Sequence, residues 1–117
     1  MSTRQQQRAE AAHRLVTSRV GTPDWDKYRT FCMKGPTLLL QSGTMQTIAF
    51  CESRDDKGAQ LWIGDVAEVM GDRQLAKTAR TAPLPKYLAL SRDAIEAATW
   101  LRSYTMVARA EARSEAK

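Results

Sequence analysis

PTLLLQSGTMQTIAF, residues 36–50, carries no charged side chain. Leu38, Leu39 and Leu40 form an apolar block that Ser42-Gly43 interrupts. Met45, Ile48 and Ala49 then resume at i, i+3 and i+4, and Phe50 extends that face. Gly43 takes a positive φ at no steric cost, so it suits the residue that ends one helix and admits the next. The pattern predicts a buried helix–Gly–helix corner, with Pro36, Gly43, Gln46 and Phe50 in the structural core. Gln46, in its apolar neighbourhood, reads as a hydrogen-bonding group of the corner and not as a catalytic one.

Working outward towards the N-terminus, Gly35-Pro36 predicts a kink or break, since proline removes an amide donor and crowds the preceding turn. Trp25, Tyr28 and Cys32 recur at helical spacing, with Phe31 widening the stripe, and Thr22-Pro23-Asp24 reads as the start of that helix. Residues 4–20 form a first helix closed by Gly21. Ala9, Ala12, Val16 and Val20 share one face, and Arg4, Arg8 and Arg19 form a second stripe read as solvated.

Towards the C-terminus, a helix over about 44–53 is followed by a charged loop. Ala59, Trp62, Ile63, Val66, Val69 and Met70 then mark a helix that Gly71 ends. Asp65, Glu68 and Asp72 lie on its other side and read as a solvated or partner-facing acidic face. A short helix over 73–81 precedes Pro83 and Pro85, which predict a stiff, extended link. Ser91 is the expected cap of a last helix over 92–110. In that helix Ala94, Ala97, Ala98, Leu101 and Tyr104 face inward, Trp100 and Val107 broaden the face, and Arg102, Arg109 and Arg113 make a basic stripe. The expectation is an all-α chain, a single domain over 1–117 built as a compact bundle of five to six helices, with loose ends at about 1–4 and 111–117.

Charged residues make up 26% and the net charge is +5, with twelve arginines against six lysines. That balance is compatible with a polyanionic partner, and the arginine bias suits phosphate. No apolar run reaches the roughly 18 residues of a membrane span. Cys32 and Cys51 read as reduced, buried thiols, so a cytoplasmic protein is expected. Recognisable catalysis is missing from the pattern. His13 has no acid or thiol neighbour, no metal-ligand spacing occurs, and the glycines build no phosphate loop. The chain reads as a binding or assembly part, not an enzyme, with no cofactor and no metal.

KYRTFCMKGPTLLLQSGTMQTIAFCES, residues 27–53, resembles the small subunit of the type III-B CRISPR effector, the Cmr complex. The resemblance rests on Lys27, Tyr28, Lys34, Pro36, Gly43, Gln46, Ala49 and Phe50. A second block, DAIEAATWLRSY, matches the family's closing segment through Trp100, Leu101, Arg102 and Tyr104, and Tyr87 also fits. Together the blocks cover about a third of the chain. Gly35, Thr44 and Ser103 depart from the family pattern. The resemblance implies a helical, non-catalytic subunit that lines up in several copies along a guide-RNA ribonucleoprotein. Its partners would be other Cmr subunits, further copies of itself, and guide and target RNA. Among the basic residues of the two blocks, Arg102 is the first expected RNA contact, with Lys27, Arg29 and Lys34 behind it and Arg109 extending its stripe. The competing expectation is a helical protein–protein adaptor without nucleic-acid contact.

Overall fold

The computed structural model describes residues 2–116, which form six α-helices and no strand. These are α1 (Arg4–Arg19), α2 (Trp25–Ser42), α3 (Thr44–Ser53), α4 (Lys57–Met70), α5 (Leu75–Thr81) and α6 (Leu84–Ala116). The all-α bundle is as expected. α2 and α6 form its spine, α4 packs against both, α1 lies on α6 and α4, and α3 lies on α2, α4 and α5.

The corner forms at Gly43, whose φ of 84° and ψ of 158° favour glycine. It closes α2 by donating its N–H to the Leu39 carbonyl, and its own carbonyl accepts the Thr47 N–H and hydroxyl. What the corner buries differs from expectation. Thr44, Thr47, Ile48 and Cys51, spaced i, i+3, i+4 and i+7, make the inner face of α3. Gln46 is exposed, as are Phe50 (38%), Met45 (45%) and Leu40 (73%), while Pro36 and Gly43 are half-buried. A ten-residue helix buries one stripe, and among the described residues no element lies beyond the opposite one. Gln46 and Phe50 are therefore not core residues. Trp100 is half-buried, packed against the core and stacked on Tyr104 with ring centroids 6.2 Å apart.

α2 runs unbroken through Pro36. The Cys32 carbonyl loses one donor, but burial of Phe31, Cys32, Gly35 and Leu39 against α4 and α6 outweighs a penalty of about 3 kcal/mol. Gly35 has a further role. A Cβ there would clash with the indole of fully buried Trp62, and one at Gly58 would lie 2.5 Å from the Lys27 carbonyl carbon. Glycine on each helix thus lets α2 and α4 cross at close range.

α6 also begins earlier than expected. Pro85 falls in its first turn, where an amide has no helical acceptor, so the prolines start the helix. Ser91 lies inside it and accepts the Thr44 hydroxyl at 3.0 Å. The Tyr87 hydroxyl accepts the Met45 N–H at 3.2 Å, supplying a cap that Gly43 cannot. Residues 111–116 continue the helix, and of the ends expected to be loose Met1 and Lys117 lie outside the described residues.

Candidate nucleic-acid interface

Two groups of cations stand out. The first is bound to acids along α1. Arg8 is only 4% exposed and spans Asp93 at 3.3 Å and Glu96 at 3.0 Å. Arg4 joins Asp93 at 3.2 Å, and Arg14 lies 3.7 Å from Glu68. Arg19 grips Asp65 with two donors, at 2.8 and 3.2 Å. The Arg4–Arg8–Arg19 stripe is therefore a structural seam, because α4 and α6 turn carboxylates towards it. Of the acidic face expected to be solvated or partner-facing, Asp65 is withdrawn from solvent while Glu68 and Asp72 stay partly exposed. Asp65 is buried and also accepts the Tyr28 hydroxyl at 2.7 Å, while Asp72 accepts the Gln74 N–H. The hydrogen bond to Asp65 holds Arg19 above its ordinary pKa. Burial raises Tyr28 far above its usual range, and it pushes the Cys32 thiol up to about 11.

The second group has little acid around it. Arg29, Lys34 and Arg109 converge between α2 and α6 on a shallow depression of about 420 Å³, with Thr30 and Met33 as the remaining lining. Arg29 and Arg109 also border an adjoining hollow of about 260 Å³ with Val20, Trp25, Ala108 and Arg113. Among the described residues, the ion pairs leave out Lys27, Lys34, Arg102, Arg109 and Arg113. Arg29 has only Asp26, at 3.4 Å and with that side chain 85% exposed. Lys34 lies over the Phe31 ring, 4.2 Å from its centroid. At 100° per residue, Glu111 and Glu115 fall on the side of α6 away from its arginines. So three of the five expected RNA contacts are brought together. Arg102 is exposed on the same α6 stripe about two turns before Arg109. Lys27 is exposed too, but its backbone abuts Gly58 and it lines neither depression.

Trp25 and Val20 were missed as surface residues. Their apolar periodicity assigns them to the core, and only the fold shows that Val20 is 47% exposed and Trp25 half-buried beside α6. A second surface lies at the opposite end of α6. The Thr44–Ser91 and Met45–Tyr87 hydrogen bonds hold the start of α3 against that helix, near exposed Leu84 and Leu88. Leu38, Ser42, Gln46 and Phe50 border a neighbouring groove of about 500 Å³. His13 meets the Tyr104 ring edge-on, centroids 5.2 Å apart. Among the described residues no cluster of three potential ligands could hold a metal, and no helix is long and apolar enough to cross a membrane.

Residues 4–107 match the family described as CRISPR-associated protein (Cas_Cmr5). The chain is similar to the CRISPR system Cmr subunit Cmr5 of Thermus thermophilus, with 35% identity over 107 residues, 89% of this chain and 94% of that one. Its fold is similar to the crystal structure of a CRISPR-associated Cmr5 family protein from the same organism. The TM-score is 0.87 at 34% identity, covering 92% of this chain and 97% of the other. With a family match over nearly its whole length and a relative alike in sequence and fold, the chain belongs to the Cmr5 family of CRISPR-associated proteins.

Proposed function

We propose that this chain is the non-catalytic small subunit of a type III-B CRISPR effector, acting in cytoplasmic antiviral defence. In this reading several copies lie along the guide–target RNA and hold its backbone through the α2–α6 strip. The supporting observation is how the cations are paired: those on α1 are bound to carboxylates, whereas among the described residues Lys34, Arg102, Arg109 and Arg113 have no acid partner. Clustered guanidinium groups repel one another, and a polyanion relieves that repulsion. Phosphate contacts position a chain without reading bases, as a system whose specificity resides in a guide requires. The apolar start of α6 and the exposed face of α3 offer a separate surface to neighbouring subunits or further copies. A protein-only adaptor accounts for that apolar surface but leaves the basic strip without a partner.

The test is a salt series on the assembled complex with two unrelated guide–target pairs. Arg109→Ala and Arg102→Ala are each expected to weaken both pairs equally. Each should also make the log–log salt slope shallower by somewhat under one unit, about 0.7–0.9 between single-stranded and duplex contacts. Unchanged slopes in correctly assembled variants remove these residues from the interface, and unequal losses point to base contact.

A further inference from the structure

The hollow bounded by Arg29, Arg109 and Arg113 has an apolar, aromatic floor. Val20 and Ala108 contribute to it, and the Trp25 ring lies 6.1 Å from that of Tyr28, centroid to centroid. Tyr28 is fully buried and hydrogen-bonded to Asp65, so the indole is backed by a fixed ring. Three guanidinium groups therefore share one hollow with an indole ring and small apolar side chains. A ligand that satisfies both needs anionic oxygens for the rim and a planar face for the floor. Inorganic phosphate leaves the floor uncovered, and an aliphatic chain leaves the charges unmatched. A nucleotide supplies both in one unit, because guanidinium forks match phosphate oxygens and every base has a π-face. At about 260 Å³ the hollow is smaller than the roughly 300–1,000 Å³ of pockets for drug-sized ligands, which suits one base with its phosphate at the rim. The Asp26–Arg29 pair is solvent-facing, hence weak, and gives way to phosphate. Arg109 and Arg113 lie beyond residue 107, where the family match ends.

From this arrangement we infer that the hollow holds one unpaired nucleotide of single-stranded RNA, its base against Trp25 and Val20 and its phosphate among Arg29, Arg109 and Arg113. The inference rests on the RNA-contacting reading above and adds a preference to it. Bases inside a duplex are already stacked on one another and cannot reach the floor.

Binding of the full chain to three probes of equal length tests it: a single-stranded RNA, an abasic ribose-phosphate strand and an RNA duplex. Trp25→Leu keeps apolar volume but removes the π-face. It is expected to weaken single-strand binding about tenfold while leaving the other two probes within about twofold, and Trp25→Phe should restore most of the loss. Arg109→Ala should weaken all three. If Arg109→Ala affects all three probes and Trp25→Leu none, or all alike, the nucleotide site is overturned while RNA contact stands. If neither variant affects any probe, RNA contact itself falls. Should Trp25→Leu not fold, indole emission of a Trp100→Phe variant, whose other indole is the fully buried Trp62, answers the same question. Quenching by the single strand alone supports the site, and equal or no quenching by all three overturns it. A glutamate-rich peptide carrying one tryptophan that binds more tightly than the single strand at the same salt also overturns it.

Discussion

Gly35 and Phe50 show how differently two side-chain positions in one segment bear on stability. An alanine methyl at Gly35 would occupy space filled by the Trp62 ring. Gly35→Ala should therefore force α2 and α4 apart at an overpacking cost of about 1–3 kcal/mol or more. Phe50, by contrast, lies outside the core, with Arg54 4.8 Å above its ring. Phe50→Ala should cost under about 1 kcal/mol, where a core phenylalanine would cost about 3–5. Thermal melts of both variants check the pair, and the reverse order would place Phe50 inside. The thiols give a pH prediction. Burial raises Cys32 and Cys51 from an ordinary 9.0 to about 11. The folded chain then binds more protons than the unfolded one between those values, so this stabilisation is complete below pH 9 and is lost as pH rises through 11. Denaturant midpoints measured from pH 8 to 11 should fall, with a smaller fall in the Cys32→Ala and Cys51→Ala variants. Of all this, only Gly43 and the buried thiols were legible in the sequence. Phe50 has the spacing of a core residue, and what uncovers it is the absence of a helix beyond α3 among the described residues. Gly35 stands out as an irregularity whose cause, Trp62, lies on another element.

Between elements, charge pairing decides where α1 sits. Arg8 enters the seam with its side chain 5% exposed, while its partners Asp93 and Glu96 remain 32% and 40% exposed. Arg8→Ala removes both contacts and the packing of the arginine stem, yet leaves carboxylates that water can still reach. The expected loss is about 1–3 kcal/mol, below that for a fully buried pair. Arg8→Met, which keeps the stem, should recover part of it, as denaturant melts would show. A recovery of nothing would make the charge, not the stem, the main contribution. Helix number and order were readable from periodicity because α1, α2 and α4 each carry one strong apolar stripe. Boundaries at proline were not. At Pro36 tertiary burial overrides a local penalty, and at Pro85 the residue starts a helix instead of preventing one. The Arg4–Arg8–Arg19 stripe likewise looks solvated until α6 and α4 supply its acids.

Over the whole molecule, the net charge of +5 is less informative than its distribution, because fold pairing consumes the α1 arginines and, among the described residues, leaves Lys34 of α2 and the arginines of α6 outside any ion pair. That sorting explains why the sequence supplied candidates for the interface and only the fold could group them. Arg29 and Arg109 are distant in sequence and adjacent on the surface. α6 has one more consequence. Its 33 residues span about 50 Å at 1.5 Å per residue, close to the 51 Å longest dimension of the molecule. Exposed leucines stand at its beginning, and Arg109 and Arg113 line a hollow near its end. A single stiff rod would gauge the gap between two bodies seated at those ends. Lengthening that rod by one residue would put its ends about 100° out of phase.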